Sequence, residues 1–206
     1  MTSPLLPTTA GAHRTNVWDA LERARLCAYP LPPHGHHPNF TGAREAAKHL
    51  LKHPQVAPLH TLIVGADRVL LPLRKLALES GLTLYVPNVK KDGWYWRLSG
   101  GAGSATAGAN LSQMAANGEP KLKPEGAQAA VLACVAADRK GGRLGKGFGW
   151  SARGLHLDLP EFTLAHGLML CGQLPCPADS HAALIGTPKG VIQTAPSSAQ
   201  GEDRLD

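Results

Sequence analysis

Aromatic residues are scarce in this chain of 206 residues, at 5% of the total, and charged residues reach only 17%. With 43% hydrophobic content, so little charge excludes a solvated, disordered chain and leaves enough apolar material for a real core. Fibrous and repeat architectures are not expected. No run of about 18 apolar residues occurs, and Met1 to Gly11 carries no basic stretch ahead of an apolar one. Neither a membrane span nor a secretory signal is therefore expected, and the expected location is cytoplasmic. The cysteines, Cys27, Cys134, Cys171 and Cys176, are scattered, and the Cys171 to Cys176 spacing matches no zinc or redox pattern. Cys134, inside Ala-Ala-Val-Leu-Ala-Cys-Val-Ala, reads as a small buried hydrophobe. The ten histidines are equally dispersed, so no Ser-His-Asp or Cys-His arrangement can be argued.

Glycine (23) and proline (17) are abundant instead, which assigns much of the length to turns and loops. A net charge of +6 suits anionic ligands, from nucleotides to nucleic acid, without selecting one. Residues 1–13 and 196–206 read as disordered ends around a single domain over 14–195. A helix is expected from Arg14 to Leu26 on the stripe Val17, Trp18, Leu21 and Leu26, ended by the proline-rich segment Tyr29 to Pro38. A second is expected from Gly42 to His53, with Thr41 as its N-cap. Thr61 to Gly65, short, β-branched and apolar on both faces, reads as a central strand. A helix follows, with Pro72 in its first turn and Gly81 as its stop, and then a strand from Thr83 to Val86. This is a βαβ unit, and it predicts an α/β fold: an open, mainly parallel sheet flanked by helices. Further strands are expected at Ala129 to Ala136, Leu168 to Cys171 and Ala182 to Ile185, about five in all. Ser99 to Gly118 reads either as a helix around Ala109 to Ala116 or as a long surface excursion.

Asp138 to Trp150 packs five glycines and four basic side chains into thirteen residues, after the strand expected to end near Ala136. Gly145, Gly147 and Gly149 free the backbone to aim its amides at one point, and Arg143 and Lys146 bring positive charge to it. A phosphate group is the natural occupant. The spacing is neither that of a Walker A loop nor that of the dinucleotide fingerprint. A flexible basic surface loop is the competing reading, and the position at the carboxyl end of a strand favours a binding site.

The run Gly-Arg-Leu-Gly-Lys-Gly-Phe-Gly-Trp resembles the Gly-x-Arg-Leu-Gly-x-Gly-x-Gly-Tyr-Tyr-Asp loop of 5-formyltetrahydrofolate cyclo-ligases, also called methenyltetrahydrofolate synthetases. Arg14 to Trp18, residues 38 to 43 (Pro-Asn-Phe-Thr-Gly-Ala), Leu71 to Arg74, Leu78 to Pro87 and Ile185 to Pro188 follow in the order of a divergent branch of that family. The resemblance covers roughly residues 14 to 193. It implies an enzyme that uses ATP and magnesium to convert 5-formyltetrahydrofolate into 5,10-methenyltetrahydrofolate through a phosphorylated formyl oxygen. ATP and a reduced folate are the implied partners. Arg143 and Lys146 are the implied catalytic cations. The ATP phosphates would be met by Arg14, Arg143, Gly145, Lys146, Gly147, Phe148, Gly149 and Trp150, and the folate by Asp67, Arg74 and Tyr85.

The family's acidic residue after the aromatic pair, associated with magnesium, is replaced by Ala152, so no residue of this chain is assigned to a metal. The family's folate-binding acid has no clean counterpart, and Asp67, in Gly65-Ala-Asp-Arg68, is offered as a substitute. Near the C-terminus Asp179 is kept, while Ala178 and Ala183 stand where the divergent branch has His and Asp. These departures sustain a second reading, a non-catalytic paralogue that binds a nucleotide, a folate or RNA. His34-Gly-His-His37 could bind a metal, but reads as a solvated loop. Trp94-Tyr-Trp96, with Lys90, Lys91 and Arg97, could stack on bases or a pterin, or could simply be a hairpin turning at Asp92-Gly93.

Overall fold

The computed structural model describes residues 9–88, 94–101, 108–148 and 158–194. The chain opens with α1 (Ala10–Arg23), capped by the Thr9 hydroxyl accepting from the Ala12 amide at 3.1 Å. The helix thus begins four residues before the expected Arg14, because Thr9 supplies the cap, and it ends at Arg23 rather than Leu26. It buries Val17, Trp18 and Leu21, much of the stripe read from the sequence.

Helix α2 (Ala43–Lys52) starts after Gly42, which has φ +93° and caps without a side-chain bond, so Thr41 is not the cap. The Thr41 amide is instead bound to the Leu26 carbonyl at 2.7 Å. The apolar face of α2 (Ala43, Ala46, Ala47, Leu50) lies over β8 (Glu161–Leu164) and over β10 (Ser180–Thr187) with its hairpin partner β11 (Gly190–Gln193). Small residues are required at this contact. A Cβ on Gly186 of β10 would stand 2.9 Å from the Ala46 carbonyl oxygen and 2.7 Å from Leu164.

The expected βαβ unit is present: β1 (Thr61–Val64), α3 (Leu71–Glu79) and β2 (Thr83–Pro87), with β1 and β2 parallel. Pro72 sits in the first turn of α3, where its missing amide costs nothing, and Gly81 follows the helix with φ +85°. At the centre, β2, β1, β5 (Ala129–Val131), β8 and β10 run parallel in that order. At one flank β3 (Tyr95–Ser99) and β4 (Glu119–Lys121) add antiparallel strands, with α4 (Leu111–Asn117) between them in sequence. At the other flank lie β7 (Gly142–Leu144), β6 (Ala136–Asp138) and β9 (Leu170–Cys171). The sheet is open and mainly parallel at its centre, with helices packed on it, as the βαβ unit predicts.

The strand count is an underestimate, since eleven strands occur among the described residues against about five expected. The apolar run from Ala129 to Ala136 is not one strand. It leaves the main sheet after Val131 and enters the small flank at Ala136, with Leu132 bonded to Phe162 and Val135 to Leu144 on the way. Leu168 to Cys171 is likewise only half strand. His166 accepts the Leu168 amide through Nδ1 at 3.2 Å and winds Gly167–Met169 into a turn of 3-10 helix. Among the described residues no helix is long and apolar enough to cross a membrane.

Candidate functional site

The basic, glycine-rich segment divides into three parts with different tasks. Asp138, buried at the end of β6, accepts the amides of Lys140 and Gly142 through Oδ1 (both 2.9 Å) and that of Leu174 through Oδ2 (3.0 Å). Residues 138–142 are therefore a hairpin turn tied by a carboxylate, with Arg139 and Lys140 at its tip. Strand β7 follows, and only from Gly145 does the chain become a loop.

The Arg143 side chain is fully buried, although the sequence places it on a phosphate with Lys146. Its Nε donates to Ser180 Oγ at 2.7 Å, with Glu161 Oε2 at 3.6 Å, and its Nη1 donates to the Ala133 carbonyl at 2.9 Å. Arg143 points inward because β7 is covered on the face that carries it. It ties the flank to the chain leaving β5, and the expectation that it faces a ligand is corrected.

Three elements distant in sequence meet the loop itself. From α1, Arg14 Nε donates to the Gly145 carbonyl at 2.6 Å. From the segment before β10, Asp179 Oδ2 accepts the Gly145 amide at 2.8 Å and lies 3.7 Å from Arg14 Nη2. Gly147, with φ +94°, passes directly over the guanidinium, and a Cβ there would stand 3.1 Å from Arg14 Cζ. The position requires glycine twice, for its backbone angle and for this approach. Lys146 extends over the Phe148 ring, with Nζ 4.9 Å from the ring centre, and Phe148 is exposed. Gly149, Trp150 and Ala152 lie outside the described residues.

The third element was read as a solvated loop, and that reading is corrected. His37 is buried. Its Nδ1 meets Asp67 Oδ1 at 2.7 Å, and its Nε2 accepts the Lys146 amide at 3.2 Å. Asp67 sits just beyond the carboxyl end of β1 and is held there by Arg74 of α3, whose Nη1 donates to the carbonyls of Asp67 (3.0 Å) and Gly65 (2.6 Å). Arg74 Nε reaches the Ala109 carbonyl at 3.0 Å. Burial works to raise the Asp67 carboxyl. The hydrogen bond from His37 and the nearby charges of Lys146 and Arg74 outweigh it and hold the group below its ordinary value. Burial pushes Arg74 down to about 10, opposed by Asp67, so it remains a cation at neutral pH.

Of the expected folate residues, Asp67 thus reaches the loop through His37. Arg74 stands behind it as a buried staple, and Tyr85 fills the core beside Ile63 and Ala130, edge-on to Tyr95 at 6.3 Å. Tyr85 and Arg74 are spoken for by packing and by carbonyls. The Trp94 to Arg97 cluster lies on the β2–β3 hairpin, whose turn falls outside the described residues. His34 pairs with Asp19 at 2.8 Å, and together with Glu22 these form a three-residue cluster with ligand atoms within 4.8 Å of one another. The imidazole already serves as partner to the carboxylates there. Cys134 is fully buried, and burial pushes its thiol up to about 11, in keeping with a packing role.

A cationic, glycine-turned loop beside the carboxyl ends of parallel strands is where an open α/β sheet binds anions. The sequence profile of the 5-formyltetrahydrofolate cyclo-ligase family matches residues 15–185. The chain belongs to this family. The cyclo-ligase fold is seen again in the NMR structure of Aquifex aeolicus 5,10-methenyltetrahydrofolate synthetase, which is 16% identical, with a TM-score of 0.55 over 93% of this chain and 97% of that one. Among curated proteins, a Mus musculus methenyltetrahydrofolate synthase domain-containing protein is 29% identical over 204 residues, 88% of this chain. A Bos taurus protein of the same name is 29% identical over 145 residues, 67% of this chain. The chain spans 54% and 38% of the length of these two relatives.

Proposed function

We propose that this chain is an ATP-dependent cyclo-ligase acting on 5-formyltetrahydrofolate in the cytoplasm. The observation that carries the reading is Arg14 beneath Gly147, with its Nε 2.6 Å from the Gly145 carbonyl across 131 residues of sequence. A guanidinium held under a loop of small residues, with Lys146 beside it, is a cradle for phosphate oxygens. Arg14, Lys146, Gly147 and Phe148, continuing to Gly149 and Trp150, would hold the triphosphate.

In this reading the formyl oxygen attacks the γ-phosphorus and ADP leaves. N10 of the folate then attacks the activated carbon and gives up its proton to solvent, the C–O bond breaks and inorganic phosphate departs, leaving the 5,10-methenyl cation. Lys146, a single positive charge over the Phe148 ring, stabilises the oxygens of the transferring phosphoryl group as charge shifts onto them. Magnesium would arrive on the nucleotide. Asp67 and Asp179, the carboxylates bonded around the loop, already accept hydrogen bonds from the chain itself, and Ala152 offers no oxygen ligand in its side chain. These residues do not fit a magnesium ion held by the protein.

Methenyltetrahydrofolate absorbs light, so its formation from 5-formyltetrahydrofolate, ATP and magnesium can be followed directly. The wild-type chain is expected to form it, and Lys146→Ala to lose about 100-fold in kcat/KM. Ala152 favours a second reading, a nucleotide-binding paralogue without turnover. Absence of product from folded protein whose melting temperature still rises with ATP would select it.

A further inference from the structure

His37 has a role that neither the fold nor the phosphate cradle accounts for. Its side chain is 1% exposed, in a segment of glycine and proline that gives it no local reason to be buried. It joins three parts of the chain: its own segment, Asp67 beyond β1, and the Lys146 backbone. The hydrogen positions follow from chemistry. A backbone amide only donates, so Nε2, 3.2 Å from the Lys146 nitrogen, must carry a lone pair, and the proton of the neutral ring sits on Nδ1, donated to Asp67.

We propose that His37 is the positioning residue of the glycine-rich loop: as the neutral Nδ1–H tautomer fixed by Asp67, it clamps the Lys146 amide and sets the loop in its phosphate-binding form. The inference rests on the phosphate-binding reading of that loop. With Gly145 held by Asp179 and Lys146 by His37, the first two loop amides are engaged by side chains. The cradle is left to the exposed stretch from Gly147 onward and to the Lys146 ammonium.

Two variants of the full-length chain separate positioning from mere packing. His37→Gln places an amide oxygen where Nε2 stood, and His37→Asn keeps a donor near Nδ1 but falls short of Lys146. ATP is the probe, titrated by calorimetry at pH 7.5. His37→Asn is expected to weaken ATP about tenfold at pH 7.5, the worth of one lost buried hydrogen bond, and His37→Gln to restore affinity to within about threefold of wild type.

Nitrogen-15 NMR of the His37 ring and the Lys146 amide gives a readout independent of nucleotide and of variant folding. The Nδ1–H tautomer at pH 7.5, with a hydrogen-bond coupling between the Lys146 amide and ring Nε2, supports the clamp. An Nε2–H tautomer, an amide that ignores the ring, or a folded His37→Asn that binds ATP like wild type overturns it. If wild-type protein shows the tautomer and the coupled amide but binds no ATP, the functional reading fails and the loop clamp stands.

Discussion

The glycine-rich loop is held from two sides that differ in everything except the group they hold. On one side the Lys146 amide meets His37, which meets Asp67, which is fastened by Arg74 through backbone carbonyls. This side is the more buried: His37 and Arg74 are 1% exposed, and Asp67 alone among the three, at 17%, meets solvent. On the other side the Gly145 amide meets Asp179 directly, with Arg14 alongside, and these side chains are 25% and 14% exposed. A buried chain of polar groups is sensitive to pH and intolerant of a missing partner, because each group has exchanged water for one specific neighbour. A part-exposed ion pair keeps water as an alternative, so it is screened by salt and contributes little to stability. The loop thus has a firm side that sets its register and a soft side that can give way to an arriving anion.

The largest test of this contrast is Arg74→Met. It fits the buried volume but leaves the carbonyls of Gly65, Asp67 and Ala109 without this donor, at about 1 kcal/mol or more each. Urea unfolding should show a loss of about 3 kcal/mol, with ATP binding weakened through the displaced Asp67. A loss below about 1 kcal/mol would mean that water reaches these carbonyls and that the firm side is not dry.

Asp67→Asn sharpens the comparison with a smaller effect. The amide can still accept from His37, so only the charge is removed, at about 1 kcal/mol at neutral pH. The sign of its pH dependence follows from the depressed carboxyl. A group with a lowered folded-state value contributes stability above its unfolded value, about 3.9, and that contribution is lost as pH falls through the folded value. The stability difference between wild type and Asp67→Asn should therefore be constant near neutrality and shrink in acid. A difference that grows toward acid would reverse the assignment.

These contrasts also explain which parts of the molecule could be read from residues alone. The β1–α3–β2 unit was legible because its signals are local: a β-branched apolar run, Pro72 in a first turn, Gly81 at a stop. The break between β5 and β6 was not, since Ala129 to Ala136 is uniformly apolar and buried in two sheets in turn. Lys146 and Gly147 could be picked out by composition, but the inward turn of Arg143 could not, because a basic residue in a three-residue strand carries no mark of which face is covered. His37 was noticed but misread. Its partners lie 30 and 109 residues away, and the run His34-Gly-His-His37 among prolines has the look of solvent-exposed chain until the fold brings Asp67 beneath it. Arg14 could be named only through the resemblance for a related reason, since only the packing of α1 carries its guanidinium under Gly147.

The smallest expected effect is that of Asp179→Asn, on the soft side, and it separates the two sides most cleanly. The amide oxygen of asparagine can still accept from Gly145, and Arg14 keeps its bond to the Gly145 carbonyl, so unfolding stability should change by about 0.5 kcal/mol or less. The substitution also removes a negative charge 3.7 Å from the guanidinium that would meet the nucleotide. ATP affinity should accordingly rise, by about threefold at low salt, and the gain should fade as ionic strength shortens the screening length to about 8 Å and below. A large loss of ATP affinity, unchanged by salt, would show instead that Asp179 orders the loop as firmly as His37 does, and the two sides would then be one rigid frame.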